Sequence, residues 1–190
     1  MDVATVRFIY GILAIVGIVM LVWFGVMSVA SRLSDAVDEG FEQARGRLAP
    51  YALPGAWVVA LLASAGSLYF SEVAQFQPCQ LCWYQRIAMY PLVVILGLAA
   101  WRRDTGIRVY AVPLAAIGAA ISTYHYLLEW FPSLDTGVCT VGVPCTAVWF
   151  REFGFISQPF LALVAFLLVI ALLLVPHRTQ AQAAATTDGR

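Results

Sequence analysis

Charge is scarce in this chain, and lysine is absent. Only 12% of its 190 residues are charged, all 11 basic residues are arginine, and the formal net charge is +0. A soluble globular domain carries about 25% charged residues. The shortage excludes a broad basic face for nucleic acid and a long-range steering field. Cysteine is sparse as well. The four are an even set in two close groups, Cys79 with Cys82 and Cys139 with Cys145, and none lies in the middle of an apolar run. Pairing follows if both groups face an oxidising compartment. What is abundant is apolar residues, at 62%, against about 45–50% in soluble domains. The chain belongs in a bilayer.

Runs of about 20 apolar residues give five spans. The first, from about Phe8 to Ala30, contains no charge and is too long, with too little preceding positive charge, for a cleaved signal peptide. Residues 1–30 read as an anchor helix, and residues 31–54 as a polar linker whose Leu33, Val37, Phe41 and Leu48 suit an amphipathic surface helix ending at Pro50 and Pro54. A bundle of four spans over residues 55–176 follows. Its members are Ala56–Val73, the stretch from the first cysteine pair to Trp101 with a kink at Pro91, Val109–Trp130 and Gln158–Val175. Residues 177–190 form an Ala/Gln/Thr-rich tail, expected to be disordered and cytoplasmic. The fold class is an all-α integral membrane protein, a four-helix bundle with an additional N-terminal transmembrane helix.

Arginine bias sets the expected orientation. With the 102–108 loop in the cytoplasm, Arg32, Arg45, Arg47, Arg102, Arg103, Arg108, Arg178 and Arg190 lie inside, and Arg7, Arg86 and Arg151 outside. Both cysteine groups then emerge on the external face, where disulfides persist.

The run Pro78-Cys79-Gln80-Leu81-Cys82-Trp83-Tyr84-Gln85-Arg86 places a Cys-x-x-Cys at the mouth of a span. Two sulfurs one helical turn apart close and reopen readily, and a helix N-terminus favours the thiolate. Two cysteine pairs on one side of a membrane can pass two electrons by thiol–disulfide exchange without radicals. A lipid-soluble quinone suits the terminal acceptor, because Arg86, one turn deeper than Cys82 on the same face, can hydrogen-bond a carbonyl and stabilise a thiolate.

These motifs, with Thr123-Tyr124-His125, Val143-Pro144-Cys145 and Phe153-Gly154-Phe155-Ile156, resemble the DsbB-type disulfide bond formation proteins, in their shorter BdbC-like branch, over roughly residues 55–175. The resemblance implies a thiol:quinone oxidoreductase of the bacterial cytoplasmic membrane. Such a protein reoxidises an extracytoplasmic thioredoxin-fold oxidase of the DsbA or BdbD kind and passes electrons to ubiquinone or menaquinone. It implies Cys79 and Cys82 as the quinone-proximal pair with Cys82 contacting the quinone, Arg86 as the quinone-site arginine, and His125 near the quinone. Cys139 and Cys145 correspond to the second pair, Cys139 forming the mixed disulfide with the partner. Two departures stand out. The 139–145 spacing is tighter than in long-loop members, and residues 1–54 have no counterpart in the four-helix family.

Blander readings accompany each residue. Cys79 and Cys82 can be a structural disulfide or half a zinc site, Cys139 and Cys145 a loop staple, Arg86 a snorkelling interfacial cation, and His125 a packed interior histidine. Glu129 reads as a solvated or paired interfacial charge, and Trp83-Tyr84 and Trp149-Phe150 as belt aromatics. The competing functions are a vitamin K epoxide reductase-like enzyme, a CcdA-like reductant carrier and a non-enzymatic scaffold with static disulfides. The first has loop cysteines preceding its Cys-x-x-Cys, the reverse of the order here. The second has its cysteines within spans. The third predicts cysteines that never change state.

Overall fold

A computed structural model describes residues 2–139 and 142–175. Five α-helices make up the fold: α1 (Val3–Ala30), α2 (Asp35–Leu68), α3 (Gln80–Arg102), α4 (Arg108–Trp130) and α5 (Gln158–Leu173). Among the described residues there is no strand, only an isolated bridge between Glu152 and Ile156. The chain is an all-helical membrane protein, as its composition requires. Helices α1 to α4 are long and apolar enough to cross a bilayer, whereas α5 is a shorter apolar helix.

Helices α2 to α5 close a ring in which each packs on its chain neighbour and α5 returns to α2. Where they meet, small residues bring the backbones together: Ala56, Ala60, Ala111 and Ala115 are wholly buried, beside Leu92, Leu96, Phe166 and Val169. In lipid this close approach replaces the hydrophobic effect as the force holding helices together. Gly118 shows how tight it is, because a Cβ there would collide with the Phe166 ring. Helix α1 lies outside the ring against α5 and α2, with Val16, Val19 and Val22 on its opposite, exposed face.

The boundary expected between a surface helix and the second span is not a structural break. Helix α2 runs unbroken from Asp35 to Leu68 through Pro50 and Pro54 and ends in a wider helical turn, Tyr69–Val73. Each proline frees one carbonyl of the preceding turn. Packing compensates: Phe41, Ala49, Ala52 and Leu53 are buried, and Phe41 meets the Phe24 ring of α1 at 5.6 Å. Helix α3 likewise continues through Pro91. The 177–190 tail lies outside the described residues.

Alternation of the helices brings the start of α1, the 74–79 loop and the 131–157 loop to one end. Arg7 Nε donates to Glu152 Oε1 at 2.7 Å, and Phe76 of the first loop stacks on Trp149 of the second at 5.2 Å.

Candidate functional site

Cys79 is the N-cap of α3, in extended conformation, with its Sγ accepting from the backbone N–H of Cys82 at 3.4 Å. A sulfur thus takes the place usually held by a Ser or Asp oxygen, at the positive end of the helix. Cys82, one turn on, sets its sulfur 3.0 Å from that of Cys79, the two being free thiols. From α4, His125 brings Nε2 to 3.6 Å from Cys79 Sγ. Gln85 Nε2 lies 3.4 Å from His125 Nδ1. An amide nitrogen that donates to Nδ1 leaves Nε2 as the ring's donor, facing Cys79. The Cys82 thiol, donating to Cys79, is the main cause holding the Cys79 thiol down to about 4. Burial opposes this, and His125 adds to it.

Cys139 and Cys145 form a disulfide with Cα atoms 5.8 Å apart. Cys145 is completely buried and shares an apolar cluster with Cys79, Leu81 and Leu128, against which Cys82 and Cys139 also pack. All four cysteines therefore meet at one end of the bundle, across a loop separation that the sequence alone leaves open.

Arg86 is buried, and Ser67 of α2 fixes it. Its Nε donates to Ser67 Oγ and its Nη2 to Ser67 O, both at 3.0 Å, while the guanidinium lies 5.1 Å from the Trp83 ring centre. Beside it opens a cavity of about 210 Å³ whose lining includes Cys82, Gln85, Arg86, Phe70, Phe76 and Met89. His125 does not line this cavity; it sits on Cys79 instead. Sequence spacing brought out Cys82 and Arg86 as one face of a helix. It assigned no role to Gln85, although Cys82, Gln85 and Met89 follow the same helical stripe, and it had no means of finding Ser67.

The sulfur and nitrogen ligand atoms of Cys79, Cys82 and His125 lie within 4.8 Å of one another. They could hold a thiophilic ion, but a structural zinc site takes four protein ligands, and this group among the described residues has three. Glu129, one turn beyond His125, is not solvated: it is 9% exposed, and its Oε2 has no hydrogen-bond partner among the described residues. Its own backbone carbonyl accepts from Arg151 Nη2 at 3.0 Å.

A family model described as disulfide bond formation protein DsbB matches residues 50–176. The chain belongs to the DsbB family. Its DsbB-type region is similar to disulfide bond formation protein C of Bacillus subtilis, 55% identical over 120 residues, which cover 62% of this chain and 86% of that protein. A probable disulfide formation protein C 2 of Bacillus anthracis is 48% identical over 123 residues, 65% of this chain and 88% of its own length. A probable disulfide formation protein of Oceanobacillus iheyensis is 47% identical over 130 residues, 67% and 90% of the two chains. No solved structure matches. The family accounts for a role in disulfide formation, and α1 with most of the first half of α2 lies outside the matched DsbB segment.

Proposed function

We propose that the protein is a thiol:quinone oxidoreductase of the bacterial cytoplasmic membrane. It would reoxidise an extracytoplasmic thioredoxin-fold dithiol oxidase of the DsbA or BdbD kind and pass the electrons to ubiquinone or menaquinone. The observation that carries this reading is the joining of all four cysteines in one cluster, with Cys82 and Arg86 together on the wall of an adjoining cavity. The walls fit a quinone: Phe70, Phe76 and Met89 suit a flat apolar ring. Ser67 takes the Arg86 Nε–H and one Nη2–H, which leaves the Nη1 hydrogens and the second Nη2–H to donate to a carbonyl oxygen.

These positions support the following steps. A partner thiolate attacks Cys139 Sγ, the Cys139–Cys145 bond breaks, and the partner's second thiol resolves the mixed disulfide, leaving Cys139 and Cys145 reduced. Their thiolates then reduce a Cys79–Cys82 disulfide by the same exchange. His125 Nε2, beside Cys79, would donate towards that sulfur, with the Gln85 amide against Nδ1 fixing the tautomer. Cys82 lines the cavity. As the Cys79–Cys82 disulfide re-forms, its two electrons and two protons would pass to a quinone bound there.

The test is reduction of a soluble ubiquinone or menaquinone analogue by purified protein in detergent, with a reduced DsbA-like donor. Turnover is expected in the parent protein and none in Cys82→Ser. Arg86→Ala should lower kcat/KM for quinone by at least tenfold while still forming the mixed disulfide. No quinone reduction by well-folded parent protein would leave the static-disulfide scaffold as the better reading.

A further inference from the structure

Helix α1 lies outside the matched family segment, yet it borders the cavity. Tyr10, Leu13 and Ala14 are lining residues alongside Cys82 and Arg86. The remaining walls come from α2, α3, α5 and the Phe76–Pro78 loop. Because α1 packs on the outside of α2 and α5, its three residues stand where the cavity would otherwise open sideways between those helices.

Several contacts hold this wall in register. Val6, Ala14 and Gly17 are buried at helical spacing, and Gly17 allows close approach, since a Cβ there would come within 2.8 Å of Leu168 Cδ1. Tyr10 donates from its hydroxyl to Leu62 O at 3.0 Å and meets the Phe70 ring edge-on at 5.7 Å. Its ring occupies the space left by Gly66, where a Cβ would lie 2.5 Å from Tyr10 Cε1. Gly66 directly precedes Ser67, the residue that fixes Arg86. At the outer end, Arg7 pairs with Glu152 and lies 5.4 Å from the Phe150 ring centre. Phe8 meets Phe153 at 5.8 Å.

We infer that α1 is part of the quinone-binding site, with Tyr10, Leu13 and Ala14 closing the cavity on its outer side and adding apolar contact to the ring held beside Arg86. This rests on the quinone reading of the cavity. The closed wall confines a ring that would otherwise be shared with the lipid phase, and none of the contacts named above is with a cysteine. Removing the wall therefore weakens quinone binding and leaves thiol exchange unchanged.

Binding is measured in the catalytically inactive Cys82→Ser protein in detergent, by quenching of tryptophan fluorescence with ubiquinone-1 and with menadione. Adding Tyr10→Ala with Leu13→Ala is expected to raise Kd about tenfold, equivalent to about 1.4 kcal/mol. Val19→Ala, on the exposed face of α1, should leave Kd within twofold. In the protein with all four cysteines, the same pair of substitutions should leave the rate of mixed-disulfide formation with a reduced partner unchanged. If the double variant does not fold, Ala14→Leu, which keeps Tyr10 seated and adds bulk towards the cavity, is expected to weaken binding by a similar factor. Unchanged Kd in a folded wall variant, with the parent binding normally, overturns the role of α1 alone. No saturable quenching by the parent overturns the quinone reading and this inference together.

Discussion

Among single residues, Cys79 has the most specific environment. It accepts from the Cys82 thiol, the Cys82 N–H and His125, so its thiolate is satisfied inside an apolar cluster where an unpaired charge would be costly. With the thiol held down to about 4 against an ordinary 9.0, the reduced, folded protein keeps this thiolate where the unfolded chain binds a proton. The linked stability of the reduced state is thus fully present above the ordinary thiol range and is lost as pH falls from there through about 4. The ultraviolet thiolate absorbance of reduced protein minus that of Cys79→Ser should persist at mildly acidic pH and titrate away near 4. His125→Phe should move that midpoint upward by removing one donor. A midpoint in the ordinary thiol range for the unaltered site would refute the arrangement. The sequence made Cys79, Cys82 and Arg86 readable because they share one helix and one face. His125 was visible only through the family resemblance, and its place on Cys79 rather than on the cavity depends on how α3 and α4 are apposed. No local spacing encodes that.

At the scale of elements, apolar run length located α3, α4 and α5 to within a few residues, since lipid demands helices of a given length and internal hydrogen bonding. Proline misled at α2. Pro50 and Pro54 look like stops, but stops act only where the freed carbonyls and the lost turn go uncompensated, and the buried Phe41, Ala49, Ala52 and Leu53 hold the turns together. Glycine has the opposite character: its meaning depends entirely on the neighbour. Gly118 of α4 faces the fully buried Phe166 of α5, which would collide with any Cβ, whereas Gly25 of α1 has nothing within 4 Å. Gly118→Ala should destabilise the protein by about 1–3 kcal/mol through overpacking. Gly25→Ala should be neutral or slightly stabilising, because alanine is the better helix former. Unfolding in detergent with increasing denaturing surfactant separates the two; equal midpoints would mean that the α4–α5 contact is looser than its geometry.

For the whole molecule, the decisive property is segregation of its two ends. One end gathers both cysteine pairs with Arg7, Arg86 and Arg151, and the Arg7–Glu152 pair ties the start of α1 to the loop that follows Cys145. At the other end lie Arg32 and the 102–108 loop with its three arginines. Arginine-rich short loops favour the cytoplasm and disulfides persist outside it, and on both grounds we propose that the cysteine end faces outward. In a background with the native cysteines replaced by serine, Ser133→Cys in the cysteine-side loop should react with a membrane-impermeant maleimide on intact spheroplasts. Glu39→Cys, exposed near the start of α2, should react only after the membrane is opened. The reversed pattern would put Cys139 and Cys145 in a reducing compartment, where thiol-based reductants would keep their disulfide open. The proposed extracytoplasmic partner could not then reach Cys139, and the proposed electron path to Cys79–Cys82 would have no entrance.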